Sequence, residues 1–412
     1  MNINIEKAWK ELITALALVL DLHEGHKLYH AWRVAVISTM LADEVLPEHK
    51  SDVFIAGLLH DVGAMSLHDH ITKYPSMSEQ VRNPIIRTHT IIGAQVVSDL
   101  PGFATAPSLI LDHHEHWDGH GYPRSKQGEE IISGAQLIRA ADTFDFMLRD
   151  VSNETPSAPS EVIRKMESRV DRELGKPIFS AVKKIMSENR FFQDIIDIPR
   201  LSFLLFKLRD EISVEGIEEK TDVMGIALSV FGQVIDAKHA YTFGHSRRVS
   251  KYGLLIAIAM NLPHDEVTKI KWAGLVHDIG KVAVPSSILD NASALSAEEY
   301  ALVKKHSGFT QEILETVSCM KDLAPIAGAH HERFDGKGYH RMLKGKEIPL
   351  GARILAVADT FDSLTSIRGY RSDRTIPKAI AEIKGSSHTQ FDPDVVEAAV
   401  AIFQNFMLPA TG

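Results

Sequence analysis

Apolar residues recur at helical spacing along most of the chain. Between residues 6 and 20, Trp9, Leu12, Ile13, Leu16 and Leu20 fall on one face of a 3.6-residue period, and Val223, Ile226, Ala227, Val230 and Val234 repeat the pattern in 223–235. Long runs that alternate apolar and polar residues, the mark of a half-buried strand, are missing from the sequence. The patterning therefore predicts an all-α fold. A chain of 412 residues exceeds what one hydrophobic core usually serves, so at least two domains are expected.

The pattern is written twice. AGLLHD at 56–61 returns as AGLVHD at 273–278, and LIRAADTFD at 137–145 returns as ILAVADTFD at 354–362. His60, Asp61, His89, His113, His114 and Asp142 map onto His277, Asp278, His306, His330, His331 and Asp359 at one offset of 217 residues, and His30 maps onto His245 at 215. Leu174 keeps the same step with Phe391, which makes each copy almost two hundred residues long. The expected organisation is a helical-bundle domain at 1–200, a helical connector at 201–220 and a second bundle at 221–412, the connector being read from the apolar start LSFLLF and acidic end of that stretch. The Ser- and Pro-rich segment 152–160 falls inside the first copy and reads as a loop.

A formal charge of -9 argues against a long nucleic acid or a basic membrane surface as partner, so an anionic ligand has to be held by local cations or metals. Cys319 is the single cysteine, which excludes an intrachain disulfide and a cysteine-based zinc site and fits a reducing compartment, hence a cytoplasmic location. The apolar run 12–20 is about half of what a bilayer crossing needs, and no membrane segment is expected.

Five histidines and two aspartates recur per copy, and neutral imidazole with carboxylate is a donor set that iron(II), manganese(II), nickel and zinc accept without thiolate. A closed structural zinc site takes four ligands. Seven candidates suit two ions that share a bridging carboxylate and keep positions open for water. Asp278, directly after His277, is the natural bridge, and two ions about 3.5–4 Å apart would acidify a water for in-line attack on phosphorus.

HDIGK at 277–281, HHERFDGKGY at 330–339 and ADTFDSLTSIRGYR at 358–371 resemble the HD-GYP phosphodiesterases, a branch of the metal-dependent HD superfamily that hydrolyses cyclic dinucleotides. The likeness covers nearly all of the second copy and the motif order of the first. It implies two tandem HD-type bundles and a phosphodiesterase that opens cyclic di-GMP to a linear dinucleotide or mononucleotides, through metal-activated hydroxide. It also implies two divalent ions per site, iron(II) or manganese(II) first, with nickel, zinc and magnesium as further candidates. By that resemblance His245, His277, Asp278 and Asp359 hold one ion, and Asp278, His306, His330 and His331 the other. The family's third-metal glutamate is Tyr241 here, with His26 at that position in the first copy. Lys281 would meet the scissile phosphate, Arg368 and Arg371 would bind substrate phosphates through forked donors, and Asp362 would orient Lys281 or a ligand histidine. His340 departs from the motif by replacing proline, which is expected to loosen that loop.

In the first copy His30, His60, Asp61, His89, His113, His114 and Asp142 are all kept, so metal binding is expected to survive there. The substrate cations are not kept: Ala64, Val151 and Glu154 stand where the second copy has Lys281, Arg368 and Arg371. The first copy thus reads as a regulatory domain and the second as the catalytic one. Hydrolysis of cyclic GMP-AMP or another nucleotide, and a non-catalytic metal or cyclic-dinucleotide sensor, are the alternatives. A homo-oligomer or a signalling protein is the partner the two like folds would suit.

Overall fold

The computed structural model describes residues 5–23, 29–66, 83–150, 158–187, 190–214, 222–237, 244–289, 291, 293–366 and 375–406. Their regular structure is helical, and extended pairing among them is limited to three isolated bridges, in keeping with the missing alternation. No helix among the described residues is long and apolar enough to cross a membrane. The chain divides into two compact units at Val223 and Met224.

The helix Ile198–Glu211 lies in the stretch expected to connect the copies. Its Leu201, Leu205 and Leu208 are buried, and it packs on the helix His30–Val45, which builds this stretch into the first unit. Residues 215–220 of the expected connector lie outside the described residues. Trp9, Leu12, Ile13 and Leu16 are buried in the helix Ile5–His23, as the periodicity requires; the side chain of Leu20 lies outside the described residues. In the helix Val223–Ala237, Val223, Ala227, Val230 and Val234 are buried and Ile226 is half-buried. The expected loop at 152–160 is described only from Ala158, where a helix opens.

Each unit is built on a helical hairpin packed against a third helix. In the first unit His30–Val45 and Lys50–Leu59 pack together and on Ser133–Asp150; in the second His245–Ala259 and His264–Val276 pack together and on Leu350–Thr365. The glycine of the AGL word lets the hairpin close. A Cβ on Gly57 would stand 2.9 Å from Ala35 Cα, and one on Gly274 would stand 2.8 Å from Ser250 Cα, nearer than any side chain permits. Three residues on, the helix ends and presents the His-Asp pair, after which the chain tightens into the 3-10 turns Val62–Ser66 and Ile279–Ala283. In the second unit Phe361 and Phe403 stack with centroids 3.6 Å apart and Tyr252 meets both edge-on, which fixes Leu350–Thr365 beside His245–Ala259. Burying each ring contributes about 1.5–3 kcal/mol.

The third histidine is held to the His-Asp turn by backbone contact. Gly280 N donates to Thr310 Oγ1 at 3.0 Å, that hydroxyl donates to His277 O at 3.0 Å, and a Cβ on Gly280 would lie 2.0 Å from His306 O. Gly280→Ala is therefore expected to cost the second unit about 1–3 kcal/mol, seen as a lower denaturant midpoint. Gly385→Ala, at a helical position where a Cβ meets open space, should be neutral or stabilising.

Candidate functional site

Four of the five candidate ligand histidines in the second unit are held by their Nδ1 edge. Nδ1 of His277, His306 and His330 lies 2.9, 2.6 and 2.6 Å from the carbonyl oxygens of Gly274, Val303 and Ala327, each three residues earlier. His245 Nδ1 lies 2.8 Å from Asp362 Oδ2, and Arg248 Nε donates to the other oxygen of that carboxylate at 2.6 Å. A ring nitrogen that donates to such acceptors leaves Nε2 with its lone pair. The helix end carrying His245 is fixed in turn by buried Asp236, which accepts from Ser246 N at 3.0 Å and Ser246 Oγ at 2.8 Å; burial raises the Asp236 pKa above the ordinary carboxylate value.

These Nε2 atoms converge on Asp278. Its Oδ2 lies 3.4 Å from His277 and 3.6 Å from His245, while its Oδ1 lies 3.4 Å from His306 and 3.9 Å from His330. Asp359 Oδ1 stands 3.4 Å from His245 Nε2, and the His331 ring lies beside that of His330 with centroids 4.0 Å apart. Three overlapping sets, His245 with His277 and Asp359, His277 with Asp278 and His330, and His306 with His330 and His331, each bring donor atoms within 4.8 Å of one another. His277 Nε2 and Asp278 Oδ1 are buried and make no hydrogen bond. Buried polar atoms left so are costly, and a cation between them would relieve that cost, so the residues present fit a metal.

The electrostatics agree with that fit. Burial opposes charge on Asp278, but Lys281, whose Nζ sits 2.5 Å from Oδ2, and the imidazole of His277 outweigh it and hold the carboxyl well below the usual range. Burial keeps His306 and His330 neutral, and burial together with His306 pushes His331 down to about 3. At His245 burial is outweighed by Asp278 and Asp362, and its pKa rises to about 10, so without a metal this ring is protonated on Nε2 as well and an ion would have to displace that proton.

The first unit assembles its own seven residues. His30, His60 and Asp142 bring donor atoms within 4.8 Å, as do Asp61, His89, His113 and His114. His60, His89 and His113 again turn Nδ1 to the carbonyls of Gly57, Ile86 and Ile110, and His30 Nδ1 lies 2.6 Å from Asp145 Oδ2, which Arg33 also clamps. One feature has no counterpart among the described residues of the second unit: buried Arg139 donates to His114 Nδ1 at 2.9 Å. Ala64 is buried where Lys281 would be. Arg368 and Arg371 lie outside the described residues, as do Tyr241, His26, Val151 and Glu154.

Two further residues shape the site without having been singled out in the sequence. Glu332, the third letter of HHE in both copies, accepts from Arg341 N at 2.7 Å and Leu343 N at 3.0 Å, and Glu115 does the same for Arg124 N and Lys126 N. These bonds fold the glycine loop back so that Tyr339 lies on the His331 ring with centroids 4.9 Å apart. His340, expected to loosen this loop, makes contacts of its own. At φ +81° its ring lies against Gly308 and hydrogen-bonds Gln311 Oε1 at 3.2 Å, tying the turn to the helix His306–Thr316. Glu332→Ala strands two backbone N–H groups and is expected to cost about 1–3 kcal/mol in chemical denaturation, with Glu332→Gln, which keeps one acceptor oxygen, losing less.

The HD domain family model matches residues 15–176 and again 229–395. The chain is 32% identical over 316 residues to 3'3'-cGAMP-specific phosphodiesterase 3 of Vibrio cholerae, covering 76% of this chain and 66% of that protein. It is 32% identical over 248 residues to the cyclic di-GMP phosphodiesterase of Thermotoga maritima, covering 58% of this chain and 67% of that one. Its structure resembles the crystal structure of a cyclic GMP-AMP specific phosphodiesterase from Vibrio cholerae with a TM-score of 0.60 and 26% identity, over 97% of this chain and 98% of that one. With two matched segments that each carry the full set of histidines and aspartates, the chain belongs to the HD domain family, as two tandem copies of the HD-GYP type.

Proposed function

We propose that the second unit is a metal-dependent phosphodiesterase that hydrolyses a cyclic dinucleotide, and that the first is its regulatory partner. The observation that carries this reading is the convergence of four Nε2 atoms on the two oxygens of Asp278, with Lys281 partly exposed beside them. His245, His277, Asp278 and Asp359 would hold one ion, and Asp278, His306, His330 and His331 a second. Iron(II) or manganese(II) suits these imidazole and carboxylate donors. Bound divalent ions would supply Lewis acidity, lowering the pKa of a water and offsetting charge on the phosphoryl group.

The chain's own residues do the positioning. Backbone carbonyls fix the tautomer of His277, His306 and His330, and Asp362 with Arg248 fixes the ring of His245. Lys281 would donate to a non-bridging phosphoryl oxygen, where its charge grows in worth as negative charge spreads in the transition state. Arg368 and Arg371 would hold the substrate's phosphates through paired donors. Within the substrate class, the likeness that spans both copies is to a cyclic GMP-AMP specific enzyme, which favours 3'3'-cGAMP over the cyclic di-GMP expected from the motifs. A cytoplasmic location, expected from the single cysteine, accords with this reading.

Incubation of the manganese(II)-loaded full chain with 3'3'-cGAMP and with cyclic di-GMP should give hydrolysis, faster for 3'3'-cGAMP. His277→Ala should abolish it, Lys281→Ala should lower kcat by about 10²–10³-fold, and His60→Ala should leave the chemistry in place. Turnover that survives His277→Ala and disappears in His60→Ala would move catalysis to the first unit. Asp362→Asn keeps every ligand yet removes the carboxylate behind His245, and should weaken manganese(II) affinity by about 10–100-fold in equilibrium dialysis.

A further inference from the structure

The first unit keeps all seven expected ligands, yet we propose that it holds one ion fewer than the second, because Arg139 engages the ring lone pair of His114 that the additional ion would require. This rests on the metal-binding reading of the second unit. Arg139 is fully buried on the helix Ser133–Asp150. Its Nη1 donates to His114 Nδ1 at 2.9 Å and lies 3.8 Å from Asp142 Oδ2. Its Nη2 donates to Glu173 Oε2 at 2.6 Å and lies 3.3 Å from His116 Nε2. Arg169 binds the other oxygen of Glu173 at 2.6 Å, so the guanidinium is anchored from behind.

A guanidinium has donors only, so His114 Nδ1 accepts from it. A neutral imidazole with an accepting Nδ1 carries its proton on Nε2. Neither nitrogen of His114 then has a lone pair for an ion, whichever of the two the coordination would use. His89 and His113 are set the opposite way, with Nδ1 facing a carbonyl and Nε2 turned to Asp61. An ion among Asp61, His89 and His113 would thus lack its fourth protein donor and would sit near a fixed positive charge, whereas in the set of His30, His60 and Asp142 the guanidinium approaches only Asp142 Oδ2 and leaves Oδ1, 3.7 Å from His30 Nε2, facing the histidine. The second unit has other residues at the matching positions. Ala356 stands in place of Arg139 and Gln390 in place of Glu173, while Arg333, in place of His116, turns to Asp335 and Gln390.

The test is ion stoichiometry of the full chain, loaded anaerobically with manganese(II), dialysed to equilibrium and counted by plasma mass spectrometry. Wild type should hold about three ions per chain, His331→Ala about two, and His114→Ala still about three. Arg139→Ala should gain about one ion, and the gain should vanish in the Arg139→Ala, His114→Ala double variant. Loss of an ion in His114→Ala overturns the proposal, as does an unchanged count in an Arg139→Ala protein whose circular dichroism melt matches wild type. The His114→Ala arm involves no change at the arginine, so it decides the matter even where Arg139→Ala fails to fold. A second unit that held no ion pair would show itself separately, as counts unmoved by His277→Ala and His331→Ala.

Discussion

A carboxylate buried at a helix end, facing lone-pair nitrogens from three directions, is the constraint on which the second unit depends. Desolvation works against the charge on Asp278, and the neutral imidazoles of His277, His306 and His330 cannot donate to it, since their Nδ1 protons are committed to backbone carbonyls. Only positive charge satisfies such an arrangement. In the structure Lys281 provides part of it, and the donor set provides places for more. The hairpin glycine, the 3-10 turn behind the His-Asp pair and the Gly280 contact with His306 O are the means by which the backbone brings the donors into range.

Much of this was legible in the sequence, for a physical reason. A helical bundle writes its buried stripe at a 3.6-residue period, so the all-α class could be read without any tertiary information. The histidines were legible because they occur twice at fixed separation, which a solvated or merely packed histidine has no cause to keep. Other features depend on which atoms face which. The LSFLLF stretch announces a helix that needs burial, but the surface that buries it, on His30–Val45, is a tertiary fact. His340 could be seen as a lost proline, while its replacement contact with Gln311 could not. Glu332 and Glu115 had a signal in the shared HHE, though a pair of loop-closing backbone bonds is invisible in it. Arg368 and Arg371 lie outside the described residues, and their roles rest on the motif.

The two copies differ less in their ligands than in where each keeps its cation. The second places Lys281 against the shared aspartate, and the first, with Ala64 there, places Arg139 against the last histidine instead. A flexible lysine with a partly exposed stem can serve a phosphate at that position, whereas a buried guanidinium braced by Glu173 and Arg169 is fixed to the protein. Counting ligands makes the copies look alike. Following the hydrogen on His114 separates them.

The central claim is that Asp278 bridges two ions. Crystals of the manganese(II)-loaded chain, measured for anomalous scattering on both sides of the manganese absorption edge, test it most directly. Two peaks about 3.5–4 Å apart are expected, one beside His245, His277 and Asp359 and the other beside His306, His330 and His331. A fully loaded crystal with no peak at Asp278, or with a single ion there and the second trio of histidines bare, would contradict it.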